Sequence, residues 1–411
     1  MKPARSLLLI LLLFQFLIMA GSAHSQERER IRDLGIAPGI LPTGTLNAIS
    51  DVDGVLVGHR TLIEGEGIRT GVTAILAHDG NLYRDRVPGA VYVGNGFGKA
   101  LGFTQVRELG ELEAPIVLTN TLSIFSAAHG LADYMLNLPG NESVRSVNPV
   151  VGETNDGWLN DIRARVITSE HVADALDNAT GGPVEEGNVG AGTGTRALGF
   201  KGGIGTSSRV IPEKDGGYTV GVLVQSNFGG ILTVDGVPVG EELGNHYMAG
   251  QTASSKSDKN STETSHRITP SDPMTAASGY NYDIDGSVMI VVATDAPITA
   301  RNLERLAKRA FMGIARVGGF ASNGSGDYVI AFSTHPDVRI SLDENGPKLS
   351  NTELKNSEMS PLFLAAVEAT EEAILNSLFM AETMQGADGR VQEALPVDEV
   401  LEIMRKYGRV E

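Results

Sequence analysis

Cysteine is absent from all 411 residues, which excludes disulfides and thiolate metal sites and leaves burial alone to hold the chain together. Positive charge is in short supply. The 33 Lys and Arg face 50 Asp and Glu, for a formal net charge of −17. A phosphate backbone would be repelled, so nucleic acid is excluded as a partner. The single tryptophan, Trp158, reads as packing or a pocket wall rather than a cofactor contact. Histidines are few and scattered: His59, His78 and His129 share no ligand spacing, so neither a metal site nor a cofactor is expected. Long hydrophobic runs are also lacking. The apolar stretch from Leu7 to Ala20 is too short for the ~20 residues that span a bilayer.

That stretch has another reading. Lys2 and Arg5 precede it, and Ala23 and Ser25 sit three and one positions before Gln26, the pattern of a cleaved signal peptide over residues 1–25. The expectation is export, to a periplasmic or secreted location, with no stable membrane association once the signal is removed.

Glycine is abundant, with 50 against 17 prolines, and short apolar stretches lie between the glycine turns. Val55–Val57, Val72–Ala77, Ala90–Val93, Ile116–Leu118, Thr219–Gln225 and Tyr328–Ser333 read as strands. Ser287 to Ala293 is nearly all apolar and rich in β-branched residues, which predicts a strand buried on both faces. Helical spacing places Ile124, Ala128, Leu131 and Met135 on one face. Thr299 is positioned to cap a helix carrying Leu303, Leu306, Ala307, Ala310 and Ile314, and a last long helix carries Phe363, Val367, Ile374 and Leu378. Strands followed by flanking helices predict an α+β layered sandwich. From 250 to 280 polar residues dominate, a composition that cannot build a core and predicts a flexible exposed segment.

Read locally, the residues near the buried strand are ordinary. Gly286-Ser287 is a turn entering a strand, Asn227 caps the end of another, and Asn323-Gly324-Ser325-Gly326-Asp327 is rich in turn formers. Gly94-x-Gly96-x-Gly98 and Gly190-x-Gly192-x-Gly194 lack a P-loop lysine and read as tight turns.

An ordered set of motifs changes that reading. Asn47-Ala48-Ile49-Ser50-Asp51-Val52, Leu118-Thr119-Asn120-Thr121 and Glu186-Gly187-Asn188-Val189-Gly190 are followed by Phe200-Lys201-Gly202-Gly203-Ile204-Gly205-Thr206. Val220 to Asn227, Ala293-Thr294-Asp295-Ala296-Pro297 and Ser325-Gly326-Asp327 complete the series. Together they make the chain, from Arg32 onward, resemble the family of L-aminopeptidase D-amidase/esterases and β-peptidyl aminopeptidases.

The resemblance implies a four-layer α/β/β/α sandwich of the N-terminal nucleophile hydrolase type. It also implies self-cleavage between Gly286 and Ser287, giving an α chain of 26–286 and a β chain of 287–411 within one catalytic domain. Ser287 becomes the nucleophile and its freed α-amine the base. An α-amine has a reference pKa of about 7.7–8, which suits that task without a histidine. Ser325 and Asp327 match the residues that orient the amine, Asn227 matches the oxyanion donor, and Glu153 matches the carboxylate that holds the substrate's ammonium. Asn155 stands where one branch of the family has a tyrosine. The implied substrates are short peptides, amides or esters with a free amine, and the implied assembly is a homo-oligomer, a tetramer of αβ units. Within the family, α-aminoacyl and β-aminoacyl specificities compete, with acyl transfer as a variant. Outside it stands a non-catalytic exported peptide-binding protein.

Overall fold

Two sheets lie face to face with helices on both outer surfaces in the computed structural model, which describes residues 28–249, 286–342 and 348–411. The expected signal segment 1–25 and the polar stretch 250–280 lie outside the described residues. The strands that carry the fold are β1 (Leu56–Glu64), β2 (Ile68–Leu76), β3 (Asp85–Gly96), β4 (Ile116–Asn120), β5 (Val150–Thr154), β6 (Ile204–Val210), β7 (Thr219–Asn227), β8 (Ser287–Thr294) and β9 (Gly326–Ser333). One sheet runs in the order β1-β2-β4-β5, the other β6-β7-β8-β9-β3. In the second sheet every neighbouring pair is antiparallel except β8 and β9, which are parallel.

The alternation of β8 explains the layering. Successive side chains of a strand point to opposite faces. Met289, Val291 and Ala293 therefore enter the core between the sheets, with Ile75, Leu118 and Val150. Val288, Ile290 and Val292 point the other way, into a cluster with Leu306 of α3 (Ala300–Ala310) and Ile374 of α4 (Met359–Phe379). On the opposite surface α1 (Ile124–Asn137) and α2 (Ser169–Asp177) place Ile124, Leu131, Met135 and Val172 against Val72, Ala74 and Val117 of the first sheet. The order helix, sheet, sheet, helix is the four-layer sandwich expected from the sequence.

Details differ from the sequence reading. The strands extend beyond their apolar centres, β1 reaching Glu64 and β3 reaching Gly96, because ladder pairing continues where burial on one face ends. Ala128 is only half-buried, and Ala127 takes its place on the inner face of α1. Thr299 occupies the N-cap position of α3, but its side chain makes no capping bond. Instead its carbonyl receives the N–H groups of Asn302 and Leu303.

The apolar stripe expected on α4 is not one-sided. Phe363 and Val367 are half-buried, and every residue from Glu368 to Phe379 is buried. The helix is wedged between β6 and the N-terminal segment, and charge pairing satisfies its carboxylates. Arg209 of β6, fully buried, donates to Glu368 at 3.2 Å and to Glu372 at 2.7 Å, and Arg32 pairs with Glu372 at 2.8 Å. Buried charges persist only when paired in this way. Hydrophobic periodicity cannot reveal such a network.

Candidate active site

One row of residues crosses four strands at the same end of the second sheet. Asn227, the last residue of β7, pairs with Ser287, the first of β8; Ser287 pairs with Gly326, the first of β9; Gly326 pairs with Gly96, the last of β3. Ser287 shares its strand face with Met289, so its hydroxyl looks into the gap between the sheets. Between β9 and β3 the register shifts at Asp327/Tyr328, opposing Asp327 to Asn95 and Tyr328 to Val93 and leaving Gly94 as an extra residue. A bulge of this kind re-aims the side chains beside it.

The chain is continuous through Gly286 and Ser287, and a single backbone N–H serves both. Gly326 N–H donates to the Gly286 carbonyl at 3.1 Å and to Ser287 Oγ at 3.2 Å. The carbonyl ahead of Ser287 is thus polarised beside the hydroxyl that follows it. Gly286 has no alternative at this position: a Cβ there would lie 1.8 Å from the carbonyl oxygen of Asn227.

Asn227 has its amide orientation set by its neighbours. The backbone N–H of Arg196 donates to Asn227 Oδ1 at 3.0 Å. A backbone N–H can only donate, so the oxygen is committed and Nδ2 remains as the donor on the other side. Two residues earlier on β7, Gln225 ties the two sheets at this end, its Nε2 lying within hydrogen-bond distance, 2.9–3.0 Å, of Thr119 O, Thr154 Oγ1 and Ala191 O.

Ser325 and Asp327, two residues apart and so on one face of an extended segment, come together. Ser325 Oγ donates to Asp327 Oδ1 at 2.6 Å, while Asp327 Oδ2 is buried without a hydrogen-bond partner among the described residues. Burial pushes the Asp327 carboxyl up to about 6, against the opposing pull of the Ser325 hydroxyl. Asn95 Nδ2 secures this turn through the Ser325 carbonyl at 2.5 Å and the Ser322 carbonyl at 2.8 Å.

Glu153 reaches the same region from β5 of the other sheet. Its carboxylate accepts from the Lys99 backbone N–H at 2.8 Å and from the Thr121 hydroxyl. Burial raises its pKa, opposed by those two hydrogen bonds. Gly98 links it to the nucleophile strand. A Cβ on Gly98 would stand 3.3 Å from Glu153 Oε1 and 3.1 Å from the Tyr328 hydroxyl. One on Gly326 would stand 3.1 Å from both Gly98 Cα and Ser287 Oγ. Ser287, Asn227, Ser325, Asp327 and Glu153 are all buried, none more than 6% exposed.

Asn155 stands apart. It is exposed, and its Oδ1 accepts the Gly157 N–H at 2.9 Å, shaping the loop after β5 rather than lining the buried cluster. Asp156 beside it is buried, and burial drives its carboxyl up to about 7. Sequence reasoning left several contributors without a role: Lys99 and Gly326 through their backbone N–H groups, Arg196 through the bond to Asn227, and Thr121 through its hydroxyl. Thr121 and Gly326 both lie inside motifs that carried the resemblance, which was the available signal.

Comparison with known proteins matches the chain to a family. The model of peptidase family S58 matches residues 47–392. A beta-peptidyl aminopeptidase from Sphingosinicella microcystinivorans is 39% identical over 407 residues, covering 96% of each chain. Among solved structures, a beta-aminopeptidase from Burkholderia sp. superposes with a TM-score of 0.78 at 39% identity, over 92% of this chain and 99% of that one. The L-aminopeptidase D-Ala-esterase/amidase of Ochrobactrum anthropi, described as a variant of the Ntn hydrolase fold, gives 0.78 at 36% identity over 93% and 99%.

Proposed function

The chain belongs to peptidase family S58 and is a hydrolase of the aminopeptidase/amidase type, and we propose that it cuts itself before Ser287 and then removes the N-terminal residue of short peptides, amides or esters through an acyl-enzyme on Ser287. The observation that carries this reading is the shared Gly326 N–H, which sits on the Gly286 carbonyl and the Ser287 hydroxyl together. Attack of Ser287 Oγ on the Gly286 carbonyl carbon forms an ester as the peptide nitrogen leaves. Water then hydrolyses that ester to a Gly286 carboxylate and the Ser287 hydroxyl, leaving a chain that begins at Ser287 with the α-amine freed in the first step.

In the cut enzyme that amine takes the hydroxyl proton as Ser287 attacks the substrate carbonyl. Asn227 Nδ2 donates to the oxyanion, and Glu153 pairs with the substrate's ammonium to set the distance from the N-terminus to the scissile bond. Ser325 and Asp327 orient the amine. Asn155 acts on substrate indirectly, through the loop it shapes.

This assignment has a pH signature. Asp327 orients the amine as a carboxylate, an acceptor of its N–H. As pH falls through about 6 the carboxyl protonates, while the amine, near ~7.7–8 in reference peptides, is already losing its lone pair. On the acid side log kcat/KM should steepen from a slope of one toward two near or below pH 6, the ammonium drawing the carboxyl down. Asp327→Asn should lower kcat and restore a slope of one. A variant that keeps the steep limb assigns it to another group.

A β-aminoacyl preference is the second reading, favoured by the beta-peptidyl aminopeptidase that matches this chain over nearly its full length. A panel of β-homo and α-aminoacyl p-nitroanilides decides between them. Hydrolysis of neither series by protein already cut at Ser287 would leave the peptide-binding alternative. Export through the 1–25 signal and assembly into a tetramer of αβ units belong to the same proposal; the mass of the secreted chains and light scattering test them.

A further inference from the structure

Glu153 is held in place by two neighbouring segments. The parallel ladder between β4 and β5 pairs Thr119 with Glu153 and Asn120 with Thr154, and it runs one step past β4, where Thr121 N–H donates to Thr154 O at 3.2 Å. Residues two apart in an extended chain share a face, so Thr121 stands on the face of Thr119 and Glu153. From the other side a short pairing of Ala100 with Gly152 brings the Lys99 N–H to Glu153 Oε1 at 2.8 Å. Thr121 Oγ1 donates to Oε2. Each carboxylate oxygen thus has one donor and keeps a lone pair for another.

The two donors differ in kind. Lys99 donates through its backbone, whereas Thr121 donates through a hydroxyl that is buried, 8% exposed, and has Glu153 as its only hydrogen-bond partner among the described residues. The backbone of Thr121 is fastened separately, by its bond to Thr154 O. The hydroxyl is therefore spare to the fold and serves the carboxylate alone.

The surroundings make that service matter. Burial raises the pKa of Glu153, and the Thr121 hydroxyl is the foremost opposing influence, ahead of the Lys99 N–H and the Lys99 charge. Two further titratable groups face Glu153: Asp156 after β5, pushed up to about 7 chiefly by burial, and Tyr328 on β9, pushed up by burial and then by Glu153 and Asp327. Neither supplies a positive charge. A substrate ammonium pairs with a carboxylate and not with a carboxylic acid, so the donors on Glu153 prepare it for its ligand.

We propose that Thr121 is a positioning residue for the substrate's amine: its hydroxyl fixes the Glu153 carboxylate in the orientation that receives the ammonium, so that Thr121 governs KM while standing outside the chemistry at Ser287. The proposal rests on the reading above in which Glu153 holds the substrate's N-terminus.

The test follows steady-state hydrolysis of one aminoacyl p-nitroanilide through the neutral and acid range in the wild type, Thr121→Val, Thr121→Ser and Glu153→Gln. Thr121→Val keeps the shape and loses the donor. Its KM should rise about tenfold, the scale of a lost hydrogen bond to a charged group, with kcat nearly unchanged. The rise should widen as pH falls, because burial then meets less opposition and Glu153 protonates at a higher pH than in the wild type. Thr121→Ser restores the hydroxyl and should bring KM back toward the wild-type value. Self-cleavage should proceed in both Thr121 variants, since the Gly286 carbonyl and the Ser287 hydroxyl are held by Gly326 N–H. An unchanged KM in Thr121→Val, a loss confined to kcat, or a Ser variant no better than Val overturns the proposal. Circular dichroism checks the fold, and Thr121→Ala supplies the same comparison with Thr121→Ser if the Val variant is misfolded. Glu153→Gln separates the two levels of the argument. If it leaves KM unchanged, the ammonium reading itself falls, whereas a raised KM there beside an unchanged one in Thr121→Val removes only the role of Thr121.

Discussion

Ser287→Ala is expected to leave one uncut chain with peptidase activity down by at least about 10⁴-fold, the scale on which hydrolases respond to loss of the nucleophile. The two effects share one cause. The hydroxyl is both the attacking group in the cut at Gly286 and the acyl acceptor in turnover, and without the cut no α-amine exists to act as base. Folding should survive, because the strand is held by its ladder to β7 and β9 and by the apolar residues that follow. Denaturing electrophoresis and intact mass report the cut, and circular dichroism reports the fold. A Ser287→Ala protein that still yields a fragment beginning at residue 287 would assign the first step to another group. One that is uncut but still hydrolyses substrate would place the nucleophile elsewhere.

How far this was legible in the sequence depends on the kind of interaction. The β8 strand was readable from its run of Val, Ile and Met, because burial on both faces needs apolar residues at every position. The helix from Ile124 was readable from its spacing. The wedge of α4 was not, since its buried face carries Glu368 and Glu372, whose charges are compensated by Arg209 and Arg32 from distant parts of the chain. The site shows the same division. Ser287 and Asp327 stood out only through the order of family motifs; the two-residue spacing put Ser325 and Asp327 on one face, and their hydrogen bond to each other is visible only in the fold. Lys99, Arg196 and Gly326 act through backbone N–H groups whose partners are decided by register between strands. Lys201, inside one of the motifs, is fully buried and ties Gly192 O at 3.0 Å to Gly202 O at 2.7 Å, with burial lowering its pKa to about 7. Only the folded arrangement gives that lysine its task.

Asn227→Ala separates the two chemical steps that Ser287→Ala abolishes together. Its amide nitrogen is positioned by the Arg196 N–H on the opposite end of the same group, so truncation removes a preorganised donor. Losing one such donor costs about 2.7–4 kcal/mol of transition-state stabilisation, a fall in kcat of about 10²–10³. KM should change little, because Glu153 holds the ground-state ammonium and is untouched by the substitution. Asn227→Asp should be slower still: one carboxylate oxygen takes the Arg196 N–H and the other faces the oxyanion with a like charge. The cut before Ser287 should nevertheless proceed in Asn227→Ala, since the Gly286 carbonyl is held by Gly326 N–H and not by this side chain. Time courses of chain cleavage beside steady-state kinetics check both halves. A raised KM with unchanged kcat would move Asn227 from oxyanion stabilisation to substrate binding, and an uncut Asn227→Ala chain would show that one donor serves both reactions.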